Sequence, residues 1–175
     1  MKLIVISSSA PVPNEQTLIN SLFEEGLENF QVHKPDCSKE EIKNFIQQIP
    51  SKYHNKIFFH SDFPKFHSLK ELGNYKGKYE YAFLSPIFDS ISKAGYKSKF
   101  SDRLYNFLLF HPELINTVNG KNIIALGGID EDKIELARKA GFAGVAAVGA
   151  IWNNKNPVEK FLRIKAKCEK KDLAH

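Results

Sequence analysis

Short apolar stretches alternate along the chain with longer stretches in which apolar residues recur at helical spacing. The short stretches are rich in β-branched and aromatic residues, as expected of parallel strands that are buried on both faces. Six strands are predicted: Leu3–Ser7, Asn29–His33, Ile57–His60, Tyr81–Leu84, Asn122–Leu126 and Gly144–Val148. This alternation indicates an α/β fold, and both a (β/α) barrel and an open doubly wound sheet fit it.

Local signals mark where the intervening helices begin and end. The first apolar stripe of helical period stops at Gly26, which suits a left-handed cap. Residues 38–41 and 68–71 both read Ser-x-x-Glu, the pattern of a capping box at a helix start. Asp130 is expected to cap the helix that follows it, and Pro157 fits the first turn of the last helix.

Composition predicts one domain over residues 1–175, because 175 residues with 42% hydrophobic content can bury a substantial core. Lys and Arg number 25 against 20 for Asp and Glu, and much of the excess lies in the last helix, from Lys160 to Lys171. This is interpreted as a solvated helix face. No aromatic residues interleave with these charges, so no nucleic-acid partner is expected.

Cysteine usage and hydropathy bear on where the protein works. Cys37 and Cys168 are too few and too far apart for a disulfide framework or a zinc site, which favours a reducing cytoplasm. The apolar start of the chain is too short for a signal peptide, and no stretch reaches the roughly 20 apolar residues of a membrane span. A cytoplasmic protein without a membrane partner is expected.

Two glycine-containing loops follow the last two predicted strands. Residues 125–130 read Ala-Leu-Gly-Gly-Ile-Asp, and residues 148–151 read Val-Gly-Ala-Ile. Loops at the carboxyl ends of parallel strands form the site in such folds, and glycines let backbone amides approach an anion there. In a barrel, Gly127, Gly128 and Gly149 would form a phosphate cradle; a plain tight turn is the alternative.

A third loop offers hydroxyl groups and a cation after a predicted strand. Residues 85–93 read Ser-Pro-Ile-Phe-Asp-Ser-Ile-Ser-Lys. Ser90 and Ser92 could donate hydrogen bonds to a pyrophosphate and Lys93 could supply a point charge. An ordinary solvated loop would have the same composition.

Together these loops resemble the thiamine phosphate synthase family, which includes the thiazole tautomerase. Residues 85–93 resemble the family motif Gly-Pro-x-Phe-x-Thr-x-Thr-Lys, with serine at both threonine positions. Residues 125–130 and 144–151 resemble the segments Ala-Ile-Gly-Gly-Ile-Asn and Gly-Val-Ala-Val-Val-Ser-Ala-Ile, with Gly149 at the usual serine. The resemblance implies a shortened TIM-type (β/α) barrel with about six recognisable parallel strands.

The resemblance also implies a function. The family joins an aminopyrimidine pyrophosphate to a thiazole phosphate and releases pyrophosphate with the help of Mg²⁺. The glycine loops would then hold the thiazole phosphate, while Ser90, Ser92 and Lys93 face the pyrophosphate, with Lys93 as a catalytic residue. Two alternatives remain open: a metal-independent thiazole phosphate tautomerase, and a non-catalytic protein that binds a thiamine precursor.

The second strand matches the family only in part. Its end reads Gln31-Val32-His33-Lys34-Pro35 where the family has Gln-Leu-Arg-Glu-Lys. Gln31, His33 and Lys34 are the substrate-binding candidates here, although Lys34 is one place away from the family's lysine and adjacent strand residues face opposite ways.

The third strand departs further. His60 and Ser61 stand where the family has Asn-Asp, which leaves Asp62, one position late, as the metal candidate. Between Phe59 and Phe66 about two strand-helix units are absent. Their absence would leave unpaired strand edges in the barrel. A homodimer, a rearranged sheet or a gap would accommodate these edges, unless the sequence lacks a segment that its natural parent contains.

Histidines supply the remaining candidate chemistry. His67-Ser68 resembles the end of the family's Ser-x-His-Ser segment, in which the tautomerase uses histidine as a proton shuttle. His67 is therefore the candidate base, with a surface or capping role as the alternative. His33 and His60 are expected, like His67, at the carboxyl ends of the strands. Three histidines on separate strands are only a loose indication of a metal site.

Overall fold

The computed structural model describes residues 1–88 and 122–170, and within them strands and helices alternate as predicted. The strands are β1 (Lys2–Ile6), β2 (Phe30–Val32), β3 (Ile57–Phe59), β4 (Lys65–Phe66), β5 (Ala82–Leu84), β6 (Ile123–Leu126) and β7 (Gly144–Ala147). The helices are α1 (Glu15–Glu24), α2 (Lys39–Gln47), α3 (Leu69–Asn74), α4 (Ile134–Lys139), α5 (Gly149–Trp152) and α6 (Pro157–Glu169).

All strand pairs are parallel, and the sheet has the order β3-β2-β1-β7-β6-β5-β4. The sheet curls with helices around it, so the predicted α/β fold of a shortened TIM-type barrel is confirmed. Seven strands are described rather than the six predicted. The additional strand is β4, which has only two residues and is too short to give a periodic signal.

The two faces of the sheet bury separate cores because side chains alternate along each strand. On β1, Val5 points outward into the large core under the helices, whereas Ile4 and Ile6 point inward. The inward side chains meet Phe83 and Ala146 in a smaller inner core. This inner core fills the interior, as in a barrel rather than an open sheet.

The sheet is open between β3 and β4. Within the described residues these two strands do not pair and form the two ends of the sheet order. Residues 60–64 join them directly, and a link this short cannot carry the crossover of a dozen or more residues that parallel neighbours need. A homodimer, a rearranged sheet or a gap is expected where strand-helix units are missing. Within the chain, the structure shows a gap between β3 and β4.

Aromatic side chains close this gap on the inside. Phe63, which lies in the link itself, stacks on Tyr81 with ring centroids 4.2 Å apart. Its ring also meets Phe58 of β3 edge-on at 6.2 Å and Phe83 of β5 at 6.3 Å. Ring contacts thus connect β3 to β5 across the gap, where no backbone hydrogen bonds join β3 to β4.

Two predictions about the helices are wrong in detail. Asp130 does not cap α4, which begins at Ile134 after Lys133 and has no side-chain cap; instead Asp130 Oδ1 accepts from the Glu131 backbone and from Lys160. Lys160 is not part of a solvated face, because it is 7% exposed and lies 2.5 Å from Asp130. The capping box at Ser38 and Glu41 is confirmed in full.

None of the described helices combines the length and the apolar character needed to cross a membrane.

The inner core predicts a contrast between two phenylalanines. Phe83 is fully buried and Phe59 is 45% exposed. Phe83→Ala should lower the free energy of unfolding by about 3–5 kcal/mol because it opens a cavity among the rings, whereas Phe59→Ala should cost about 1 kcal/mol or less. Urea unfolding of both variants checks this, and equal losses would contradict an inner core at this place.

Candidate functional site

A cavity of about 360 Å³ opens at the carboxyl ends of the strands. It is bounded by apolar side chains of the inner core and by a set of small and polar residues. The small and polar residues are Ser7, Ser9, His33, His60, Lys65, His67, Ser85, Gly127, Gly128 and Gly149. The cavity therefore lies where parallel strand-helix folds form their sites.

The three predicted glycines come together on one side of this cavity. Strands β6 and β7 are neighbours, with Leu126 opposite Ala146, so the loops that follow them lie side by side. Gly127 has φ 94° and Gly128 has φ 63°, conformations in which a side chain is strained. A Cβ on Gly127 would also lie 2.8 Å from Pro86 Cα. The backbone of this loop therefore favours glycine at both positions, and both glycines line the cavity.

His67 lines the cavity just after β4, and two hydrogen bonds fix its position. Its backbone N–H donates to Glu71 Oε2 at 2.7 Å, so the Ser68-Glu71 signal forms a cap in which the carboxylate bonds His67 rather than Ser68. Its Nδ1 donates to the carbonyl oxygen of Ser85 at 3.0 Å. Because a carbonyl oxygen only accepts, Nε2 of the neutral ring is left with its lone pair.

His60 closes the cavity next to the inner core. Its Nδ1 lies 2.7 Å from Gln31 Oε1, while Gln31 Nε2 donates to the Tyr81 hydroxyl at 2.8 Å. Asn29 donates to the same hydroxyl at 3.1 Å. Burial, with smaller contributions from the charges of Lys65 and His33, lowers the pKa of His60 to about 3, so its ring is neutral in the folded protein.

Of the three substrate-binding residues predicted at the second strand, one lines the cavity and two do not. His33 lines the cavity, and its backbone N–H donates to Ser7 Oγ at 2.8 Å. Gln31 is fully buried beneath His60 and does not line the cavity. Lys34 lies outside it as well, because its Nζ is 2.5 Å from Glu15 Oε2 in a buried ion pair. Burial raises the pKa of Glu15, and Lys34 opposes that shift.

Lys65 is a functional candidate that the sequence analysis missed. It pairs in register with Phe83, whose side chain points inward, so Lys65 faces the same interior and reaches the cavity. Partial burial there lowers the pKa of its ammonium group. Lys65 occupies the first position of the segment that resembles Ser-x-His-Ser, and this departure from the family was the signal that could have identified it.

The described residues do not fit a magnesium ion. Mg²⁺ binds in proteins through carboxylate and other oxygen ligands, yet no Asp or Glu lines the described part of the cavity. Asp62 is exposed and is not among the lining residues, and Ser61 Oγ lies 3.5 Å from its Oδ1. No group of three or more potential ligands, the histidines included, is arranged for a metal in the part of the chain that is described.

Ser90, Ser92 and Lys93 belong to residues 89–121, which lie outside the described residues. Their predicted contacts with pyrophosphate remain predictions. The described start of the same loop packs closely on the glycines, since Phe88 N–H donates to Gly127 O at 3.1 Å and Ile87 N–H to Leu126 O at 2.9 Å. The loop therefore leaves the sheet directly beside the glycine side of the cavity.

These features define a (β/α) barrel-type protein with a polar cavity at the carboxyl ends of its strands. No protein-family model and no curated protein sequence matches the chain. Solved structures do. Thiamine phosphate pyrophosphorylase from Bacteroides thetaiotaomicron is 26% identical, with a TM-score of 0.76 and 100% of both chains covered.

Two further structures extend this comparison. Thiamine phosphate pyrophosphorylase from Pyrococcus furiosus is 17% identical, with a TM-score of 0.71 and coverage of 96% of this chain and 95% of that one. (S)-3-O-geranylgeranylglyceryl phosphate synthase from Thermoplasma acidophilum, solved with sn-glycerol-1-phosphate, is 16% identical, with a TM-score of 0.59 and coverage of 95% and 92%. The predicted resemblance is thus confirmed in structure: the chain is similar over nearly its whole length to two thiamine phosphate pyrophosphorylases.

The low pKa of His60 predicts how stability depends on pH. Below pH 6.5 the unfolded chain binds a proton at His60 that the folded protein does not bind until about pH 3. The free energy of unfolding should therefore fall with decreasing pH over that range, by about 2 kcal/mol from His60 alone between about pH 8 and about pH 5. Urea unfolding at both pH values measures the loss, and His60→Asn should lose about 2 kcal/mol less than the wild type. Equal losses would show that His60 is not responsible.

A second prediction concerns the glycine loop. Gly127→Ala should lower the free energy of unfolding by more than about 1 kcal/mol, since its φ is 94° and the new Cβ would meet Pro86. Gly73→Ala in α3 is the matched control, because nothing lies within 4 Å of a Cβ there and alanine favours a helix by up to about 1 kcal/mol. Thermal unfolding should move in opposite directions for the two variants.

Proposed function

We propose that the cavity binds a thiazole phosphate and that the protein joins it to an aminopyrimidine pyrophosphate, giving thiamine phosphate and pyrophosphate. The observation that carries this proposal is the cavity itself, which is lined by Gly127, Gly128 and Gly149 together with Lys65 and His67. Backbone amides exposed by glycines suit a phosphate, and the structural likeness to two thiamine phosphate pyrophosphorylases supports the same substrates.

The reaction breaks the bond from the pyrimidine methylene carbon to the pyrophosphate oxygen and forms a bond from that carbon to the thiazole nitrogen. The bonding electrons leave with the pyrophosphate, so negative charge develops there. Lys65 would face this charge as a cation, and Lys93 is predicted to do the same. A role for Mg²⁺ remains a prediction from the family resemblance.

The tautomerase is a second candidate that one observation favours. His67 lines the cavity, and because its Nδ1 donates to Ser85 O, Nε2 of the neutral ring keeps its lone pair. A base held in one tautomer at the cavity wall is what proton transfer on the thiazole ring needs, and this chemistry uses no metal. It therefore agrees with the absence of carboxylates from the described lining.

Calorimetric titration with thiazole phosphate and with thiamine phosphate, with and without Mg²⁺, tests binding, and a turnover assay on the same sample tests chemistry. Binding that Mg²⁺ strengthens, together with product, would support the synthase. Binding indifferent to Mg²⁺ and without thiamine phosphate formation would favour the tautomerase or a non-catalytic binding protein. Failure of thiazole phosphate to bind would contradict the proposed function in every form.

His67→Ala separates the tautomerase from the other candidates. If His67 is the base, the rate of thiazole phosphate tautomerisation should fall by about 100-fold or more, with little change in binding. His54→Ala is the matched control, because His54 also bonds a backbone carbonyl, that of Ile49 at 2.8 Å, and does not line the cavity. An unchanged rate in His67→Ala would exclude His67 as the base.

A further inference from the structure

Gln31 is the residue of the second strand that matches the family, yet both ends of its amide are already bonded. Oε1 accepts from His60 and Nε2 donates to Tyr81. Gln31 is also fully buried, whereas His60 lies above it and lines the cavity. A ligand in the cavity can therefore contact His60 but not the Gln31 amide.

The bonds below His60 fix which of its nitrogens carries the proton. Because Gln31 gives its N–H group to the Tyr81 hydroxyl, the atom it turns to His60 is its carbonyl oxygen, which can only accept. His60 Nδ1 must then be the donor. The neutral ring has one N–H, so Nε2 is left as an acceptor, and no hydrogen bond joins it to any residue in ranges 1–88 and 122–170.

The surroundings keep the ring in this state. His60 is 5% exposed, and its ring lies against Phe83 with centroids 4.9 Å apart and against His33 at 5.2 Å. The charged and titratable groups that face it are Lys65 from β4 and His33 from the end of β2, and both oppose a positive charge on the ring. An imidazolium that donates from both nitrogens is therefore disfavoured at this position.

We infer that His60 Nε2 accepts a hydrogen bond from the amino group of the aminopyrimidine, and that His60 rather than Gln31 is the residue that selects this ring. The inference rests on the proposed function, because it assigns one part of the proposed substrate to one wall of the cavity. Strands β1 and β2 separate β3, which leads to His60, from β7, which leads to Gly149. A ligand with phosphate at the glycines and an N–H donor at its other end would span the cavity.

A site that presents a buried acceptor discriminates against ligands without the matching donor. Thiamine phosphate carries the amino group, whereas in oxythiamine phosphate a carbonyl oxygen stands in its place and would face the Nε2 lone pair. Wild-type protein should bind thiamine phosphate at least about tenfold more tightly than oxythiamine phosphate. Thiazole phosphate lacks the pyrimidine and should be insensitive to His60.

His60→Asn is the informative variant, because the Asn amide N–H can replace Nδ1 as donor to Gln31 while nothing replaces Nε2. We expect it to fold, to bind thiamine phosphate about 3- to 10-fold more weakly, to lose most of the preference over oxythiamine phosphate, and to bind thiazole phosphate as the wild type does. His54→Asn is the control and should leave all three affinities unchanged. Affinities are measured by calorimetry.

Imidazole ¹⁵N NMR of the full-length protein tests the geometry without a ligand, with the His60 signals assigned by their loss in His60→Asn. A protonated Nδ1 and an unprotonated Nε2 support the inference, and the reverse tautomer overturns it. If thiazole phosphate binds but His60→Asn keeps full affinity for thiamine phosphate, the inference is overturned while the proposed function stands. If thiazole phosphate does not bind the wild type, the proposed function fails and the assignment of His60 fails with it.

Discussion

The five residues that join β3 to β4 are the constraint on which the rest of the molecule depends. They are too few for a helical crossover, so β3 and β4 cannot be neighbours and the barrel stays open between them. The same residues supply what the opening requires. Phe63 fills the interior next to Tyr81, His60 closes the cavity above Gln31, and Lys65 follows immediately on the inner face. The short link between β3 and β4 thus both leaves the barrel open and forms part of the cavity wall.

The described wall differs chemically from what a magnesium-dependent pyrophosphate site would contain. It presents a lysine, imidazole rings and hydroxyl groups, and no carboxylate among the described lining residues. A carboxylate pair holding Mg²⁺ and a lysine both offset negative charge on a leaving group, but a lysine does so without a bound ion and with less charge. Lys34, the lysine predicted to bind substrate at the second strand, does not supply such a charge, because it pairs with the buried carboxylate of Glu15.

Features set by local chemistry could be predicted from the sequence, and features set by contacts across the sheet could not. The glycines at positions 127, 128 and 149 meet because adjacent parallel strands end at one edge, and the capping box at Ser38 depends on four consecutive residues. By contrast, a two-residue strand has no period to detect, so β4 and the inward direction of Lys65 were missed. The bond between Gln31 and Tyr81 joins residues 50 positions apart in or next to strands that are not neighbours, and only the curl of the sheet brings them together.

The one tryptophan of the chain lies where it can report on the cavity. Trp152 is the last residue of α5, the short helix that begins at Gly149, and its indole N–H donates to the carbonyl oxygen of Ile6 at 2.6 Å. Ile6 and Gly149 both line the cavity, whereas the indole is buried behind them. Intrinsic fluorescence of the unlabelled protein therefore gives a single optical signal from this region, in which displacement of α5 would alter the emission without an engineered probe.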